Sequence, residues 1–132
     1  MKRILIASAF LFTAVFGLLS CANAGDKAAK GIAKTISVDA YEALLKQTPD
    51  AQIVDVRTPG EVAGGIIPGA INIPVDEIRD RFKELTNKNL LVNCQVGLRG
   101  HTGSMLLKEL GFNAVNLDGG YLTWSNSPAA SK

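Results

Sequence analysis

Apolar and polar positions alternate along this chain in two rhythms, one helical and one that of a short buried strand. Tyr41, Leu44 and Leu45 fall on one face of a helix that Ser37 can cap and Pro49 closes. Residues 52–56, with Ile53-Val54-Asp55-Val56, read as a short buried strand. Residues 58–65 read as a turn holding about one helical turn. Residues 70–73, between Pro68-Gly69 and Pro74, predict a second short strand. Val75, Ile78, Phe82 and Leu85 then recur at helical spacing. The charged residues between them, Asp76, Glu77, Arg79, Asp80, Arg81, Lys83 and Glu84, form the solvated face of that helix. Residues 90–92 are an apolar run of strand length, and residues 101–110 a helix ended by Gly111. Residues 114–117 are the last strand, after which Gly119-Gly120 leads into a short helix holding Trp124. Strands separated by helices predict an α/β fold with a parallel sheet covered on both faces. In such sheets ligands bind beyond the carboxyl ends of the strands.

The first residues follow a different pattern. Met1-Lys2-Arg3 is positive, and residues 4–19 are 16 positions without a charge. A spanning helix needs about 20 apolar residues, so this run predicts a removable secretory leader, the plain alternative being an uncleaved N-terminal anchor. Ala22-Asn23-Ala24 fits cleavage after residue 24, giving a signal peptide over 1–24. Leu18-Leu19-Ser20-Cys21 equally fits a lipoprotein signal ending at residue 20, with lipid on Cys21. The expected location is therefore the periplasm or cell envelope, with membrane attachment only through the leader or that lipid. Residues 25–34 are small and basic and read as a tether, residues 35–128 as one domain, and residues 129–132 as a tail.

Composition narrows the chemistry. Of 132 residues, 47% are hydrophobic and 20% charged, which is globular usage. Beyond the leader, 12 basic residues stand against 12 acidic ones, so charge gives no basis for nucleic-acid binding. Two cysteines and one histidine exclude a disulfide scaffold, a four-thiolate zinc site and a histidine-rich metal centre; no metal or organic cofactor is expected. With Cys21 removed or capped, Cys94 is the sole free thiol. It has no C-x-x-C partner, which removes the basis for dithiol oxidoreductase chemistry.

Cys94 sits at the carboxyl end of the strand at 90–92, right after residues 90–93, and opens the segment Cys94-Gln95-Val96-Gly97-Leu98-Arg99-Gly100, with a helix beyond. So tight a strand–loop–helix turn aims backbone N–H groups inward as an anion cradle. Gly97 and Gly100 permit the backbone angles such a turn needs. The following helix N-terminus favours negative charge, and Arg99 adds a permanent cation. Such surroundings turn a thiol into a thiolate nucleophile. The chemistry requires that sulfur to be ionised and reachable from solvent; the plain alternative is an inert buried thiol packed as a small hydrophobe.

Four segments, in order, resemble the rhodanese-like domain family. They are Ile53-Val54-Asp55-Val56-Arg57; Glu61 with Gly65-Ile66-Ile67-Pro68-Gly69-Ala70-Ile71-Asn72-Ile73-Pro74; Cys94-x-x-Gly97-x-Arg99; and Leu117-Asp118-Gly119-Gly120-Tyr121 with Trp124. The resemblance implies a single rhodanese-like domain built on a sheet of about five parallel strands. It also implies sulfurtransferase activity through a persulfide on Cys94, taking sulfane sulfur from a small donor such as thiosulfate or a persulfide to a thiol or cyanide acceptor. Asp55, Arg57 and Glu61 are expected to support the loop, with Arg99 pairing to Glu61 or Asp55. Two departures stand out. Ile66 occupies the family's usual histidine position, and Gln95, Val96 and Leu98 leave Arg99 as the loop's sole cation, which weakens the attraction for a dianion such as thiosulfate.

Two other functions fit parts of the pattern. Phosphatase or arsenate reductase loops also join cysteine to arginine, but with five intervening residues; here there are four, and Asn93 stands where phosphatases carry a histidine. A sulfur-carrying or partner-docking module without turnover fits the neutral loop, since fold does not fix function. His101 is expected to face solvent with Met105 and Lys108 while Leu106 and Leu110 point inward. Trp124 is expected in the core or the pocket wall.

Overall fold

The computed structural model describes residues 32–132; the expected leader, its cleavage sites and Cys21 lie outside the described residues. The chain forms β1 (Lys34–Ile36), α1 (Val38–Gln47), β2 (Gln52–Asp55), α2 (Pro59–Val62), β3 (Ile71–Asn72), α3 (Ile78–Arg81), β4 (Asn89–Asn93), α4 (Leu98–Glu109), β5 (Asn113–Leu117) and α5 (Gly120–Ser125). The five strands make one all-parallel sheet in the order β1-β5-β4-β2-β3. The predicted α/β architecture is the observed one.

The period-two alternation of the central strands sorts the core onto two faces. Val54, Leu90 and Val92 point to one face, where Ile78 of α3 and Leu107 of α4 cover them. Ile53, Leu91 and Leu117 point to the other, beneath Tyr41 of α1 and Trp124 of α5. Each such fully buried side chain stabilises the fold by about 1.5–3 kcal/mol. Burial also raises the pKa of the Tyr41 hydroxyl, so Tyr41 stays neutral.

Several local expectations are corrected. β1 was not legible: it has three residues and only Ile36 is buried, so it carries no alternation. It is paired by position, Ile36 lying beside Leu117. Ala33 is buried, so the ordered fold begins before the expected boundary at Thr35. The single helix expected from Val75 to Leu85 is three pieces: a 3-10 turn (Val75–Glu77), α3, and a second 3-10 turn (Phe82–Glu84). The apolar spacings are three, four and three residues, which suit that alternation of i+3 and i+4 geometry. Arg81 ties the pieces together through Glu77 at 2.8 Å and Glu84 at 2.7 Å. β3 keeps only two residues at the sheet edge, as its flanking prolines allow. On α4 the buried face is Gly100, Gly103, Ser104 and Leu107, whereas Leu106 and Leu110 pack only partly against the core. The expected tail ends in a 3-10 turn (Pro128–Ser131), whose Ala129 rests on the second core face.

Candidate active site

β4 ends at Asn93 and α4 begins at Leu98, so the connection from sheet to helix is only Cys94 to Gly97. The helix was expected to begin at His101. It begins three residues earlier because Gly97 takes φ 107°, a left-handed angle that glycine adopts without steric penalty, and turns the chain at once. Leu98, Arg99 and Gly100 therefore belong to the first turn of α4 rather than to the loop. The expected cradle is built from two elements.

Its centre is a contact between backbone and sulfur. The Gly97 N–H donates to Cys94 Sγ at 3.0 Å. The Gly97 carbonyl is fixed in turn: it accepts from the Asn116 side-chain amide at 3.1 Å and from the His101 N–H at 3.0 Å. α5 closes the turn from outside. Tyr121 N–H donates to the Cys94 carbonyl at 2.7 Å and Leu122 N–H to the Gln95 carbonyl at 3.1 Å. So close an approach demands Gly120, where a Cβ would collide with the carbonyl of Cys94.

One expectation is overturned here. Cys94 was to be reachable from solvent; it is 0% exposed and packs in the first core cluster. The tight turn draws the sulfur back under its own backbone, while the neighbouring side chains point outward: Val96 is 53% and Leu98 78% exposed.

The charges around the turn are paired. Arg99, on α4, donates from Nη1 to Glu61 Oε2 at 2.7 Å and from Nη2 to Glu61 Oε1 at 2.6 Å, a bidentate fork. That guanidinium, and next the Thr58 N–H at 3.0 Å, hold the Glu61 carboxyl at about 2, against its ordinary 4.5. The same hydrogen bond raises the pKa of Arg99. Glu61 also completes a capping box with Thr58 at the start of α2, which is why it faces Arg99 at a fixed angle. Of the two expected partners for Arg99, Glu61 is the one bound.

Asp55 takes the other arginine. Arg57, 1% exposed, donates from Nη2 to Asp55 Oδ2 at 2.7 Å and from Nε to both carboxylate oxygens at 3.0 Å. Its remaining donors reach the Gly65 carbonyl at 2.7 Å and Gln95 Oε1 at 3.1 Å, and the Tyr121 ring covers its face at 4.1 Å. Arg57 thus ties the end of β2, the turn after α2, Gln95 of the loop and α5 together. Asn93 adds a bond to Asp55 Oδ2 at 3.1 Å.

Cys94, Gln95, Gly97, Arg99, Asp55, Arg57 and Glu61 are brought together, whereas Val96 and Leu98 face outward. His101 is half-buried on the first turn of α4 rather than solvent-facing. Ile66 is half-buried beside Gly65. Trp124 is core, stacking on Tyr121 with ring centres 5.9 Å apart. The sulfur of Met105 accepts the Ala33 N–H at 3.0 Å. Three residues that position the turn were not singled out from sequence for that role: Asn93, Asn116 and Tyr121. The two asparagines carry a readable signal, an amide inside an apolar strand run. Among the described residues no group of three or more His, Cys, Asp or Glu is placed to hold a metal ion.

The sequence model of the rhodanese-like domain matches residues 37–127. A protein of Allochromatium vinosum described as a sulfurtransferase is 35% identical over 83 residues, covering 61% of this chain and 78% of its own. The human thiosulfate:glutathione sulfurtransferase is 33% identical over 108 residues, covering 70% of this chain and 93% of its own. Among solved structures, a rhodanese-like domain protein from Staphylococcus aureus is 34% identical, with a TM-score of 0.64, over 72% of this chain and 94% of that one.

Proposed function

This chain belongs to the rhodanese-like domain family, with relatives that support sulfur transfer in general, and on that premise we propose that it moves sulfane sulfur through Cys94. The thiolate of Cys94 attacks the outer sulfur of a donor, thiosulfate or a persulfide. A new S–S bond forms to Sγ, the donor's own bond to that sulfur breaks, and the donor remainder leaves with the bonding pair, as sulfite or as a thiolate. An acceptor thiol, or cyanide in an assay, then takes the outer sulfur and restores the Cys94 thiolate. No net oxidation occurs. Covalent storage between two half-reactions predicts ping-pong kinetics.

The observation that carries this reading is the Gly97 N–H at 3.0 Å from Sγ, at the mouth of a twelve-residue helix. A preorganised donor aimed at the atom that bears the charge stabilises a thiolate or persulfide as an oxyanion hole does an alkoxide. Arg99 acts on this account by holding α4 and the turn against Glu61. Because Cys94 is fully covered in this conformation, the reaction includes an outward movement of the turn or of the cysteine side chain. The leader supports action after export, in the periplasm or cell envelope. The test is Cys94→Ser in a thiocyanate-forming assay: transfer should vanish, and intact transfer ends the reading.

The same burial favours a second reading, a module that docks a partner or holds sulfur without turnover. It is distinguished by a Cys94 that takes up no sulfur from any small sulfane donor.

A further inference from the structure

Both arginines at the site are already spent on carboxylates. Arg99 forks onto Glu61 at 2.6 and 2.7 Å, and Arg57 onto Asp55 at 2.7 Å. The turn's other side chains, Gln95, Val96 and Leu98, carry no charge. On the neighbouring strand end, the exposed Asp118 adjoins Gly119, against whose N–H nitrogen a Cβ on Gly97 would press at 3.4 Å. The side chains named here, among the described residues, therefore carry no net positive charge, and an ion pair offers an approaching donor only its weaker dipolar field. What the turn does present outward is apolar. Val96 is 53% and Leu98 78% exposed, and Leu122, 49% exposed, follows on the turn of α5 that hydrogen-bonds to Gln95. Exposed aliphatic side chains gathered from the turn, the start of α4 and α5 around the segment that holds Cys94 mark a contact surface.

From these observations we propose that the site selects organic persulfides whose carbon flank is apolar and uncharged, and discriminates against anionic donors including thiosulfate. Val96 and Leu98 are the specificity-determining residues: they pack on the flank next to the transferred sulfur, and they offer a carboxylate or sulfonate oxygen no partner. This rests on the sulfur-transfer reading above. The reaction keeps its balance. The donor R–S–SH gives its terminal sulfur to the Cys94 thiolate, the donor's S–S bond breaks, and the thiolate R–S⁻ takes the terminal proton and leaves as R–SH.

A matched pair tests it: the persulfide of N-acetylcysteine methyl ester, with an uncharged flank, against that of N-acetylcysteine, which differs by one carboxylate. Each is supplied to the wild-type full chain with cyanide as acceptor, and thiosulfate is run alongside. The ester persulfide should show kcat/KM about five- to tenfold above the carboxylate analogue, the range expected of one like-charge or unsolvated-charge contact near a protein surface. Leu98→Lys, at an exposed position, should narrow that ratio to near unity and raise thiosulfate use; Val96→Lys is the second variant should the first fail to fold. Equal or greater use of the carboxylate analogue by the wild type overturns the proposal, as does a ratio unmoved in both lysine variants. These outcomes leave sulfur transfer standing. If no donor places sulfur on Cys94, sulfur transfer itself fails, and this proposal with it.

Discussion

The side-chain amide of Asn116 holds the carbonyl of Gly97 at 3.1 Å, and the N–H of that same glycine meets Cys94 Sγ at 3.0 Å. A buried residue of β5 thereby sets the angle of a backbone donor aimed at the sulfur. Asn116 also donates to Thr35 Oγ1 at 3.3 Å, so the clamp is braced against β1. Asn116→Ala should slow persulfide formation on Cys94 by about tenfold, while removing one of the two hydrogen bonds to the Gly97 carbonyl, which keeps the His101 N–H, at a cost of about 0.5–1.5 kcal/mol. The check is the single-turnover rate beside a urea melt, with the pH profile of Cys94 alkylation as the readout that a purely structural role would leave unmoved. An unchanged rate and profile would show that the clamp does not position the donor.

The buried pair of Arg57 and Asp55, 2.7 Å apart with side chains 2% and 0% exposed, predicts a stability effect. Arg57→Ala leaves the Asp55 carboxylate without its charged partner and opens the links to Gly65 and Gln95. Losing one member of a buried pair costs about 3–5 kcal/mol. Arg57→Lys should recover only part of this, because an ammonium lacks the planar fork. Denaturant unfolding measures both, and a loss within a few tenths of a kcal/mol for Arg57→Ala would contradict the account.

The Glu61 carboxyl, held at about 2 in place of 4.5 chiefly by Arg99, fixes the sign of a pH effect. The folded chain binds this proton less readily than the unfolded one, so the pair's contribution is complete above 4.5 and is lost as pH falls toward 2. Glu61→Gln should lower Tm at neutral pH, and the gap to wild type should close progressively across that acid window. The pair is partly exposed, so salt should shrink the gap as well. A gap independent of both pH and salt would mean that the ion pair is not the source.

The leader reading predicts that the mature chain begins at Gly25 in the soluble envelope fraction, or at an acylated Cys21 in the membrane fraction. Intact mass of both fractions decides between them, and a mature chain still carrying Met1 would contradict either.

Most of the architecture was legible because the central strands are buried on both faces and must be continuously apolar, as residues 90–92 are. β1 was hidden because three residues at a sheet edge need no pattern of their own. The helix expected over residues 75–85 failed for a related reason, since spacings of three and four serve 3-10 and α geometry alike. At the site, the Cys94-x-x-Gly97-x-Arg99 run showed where the chemistry would lie. It did not show that Arg99 would be bound to Glu61, nor that the sulfur would be covered. Both depend on how α2 and α5 dock from elsewhere in the chain, and Asn116 and Tyr121 reach the turn the same way.

The most direct test of sulfur transfer through Cys94 is mass spectrometry of the intact wild-type chain after exposure to a sulfane donor. Thiosulfate, the persulfide of N-acetylcysteine and that of its methyl ester should each be tried, followed by mapping of the Cys94 peptide. The account predicts the gain of one sulfur atom on Cys94, discharged by cyanide and absent from Cys94→Ser. A Cys94 that stays unmodified under every donor would contradict it.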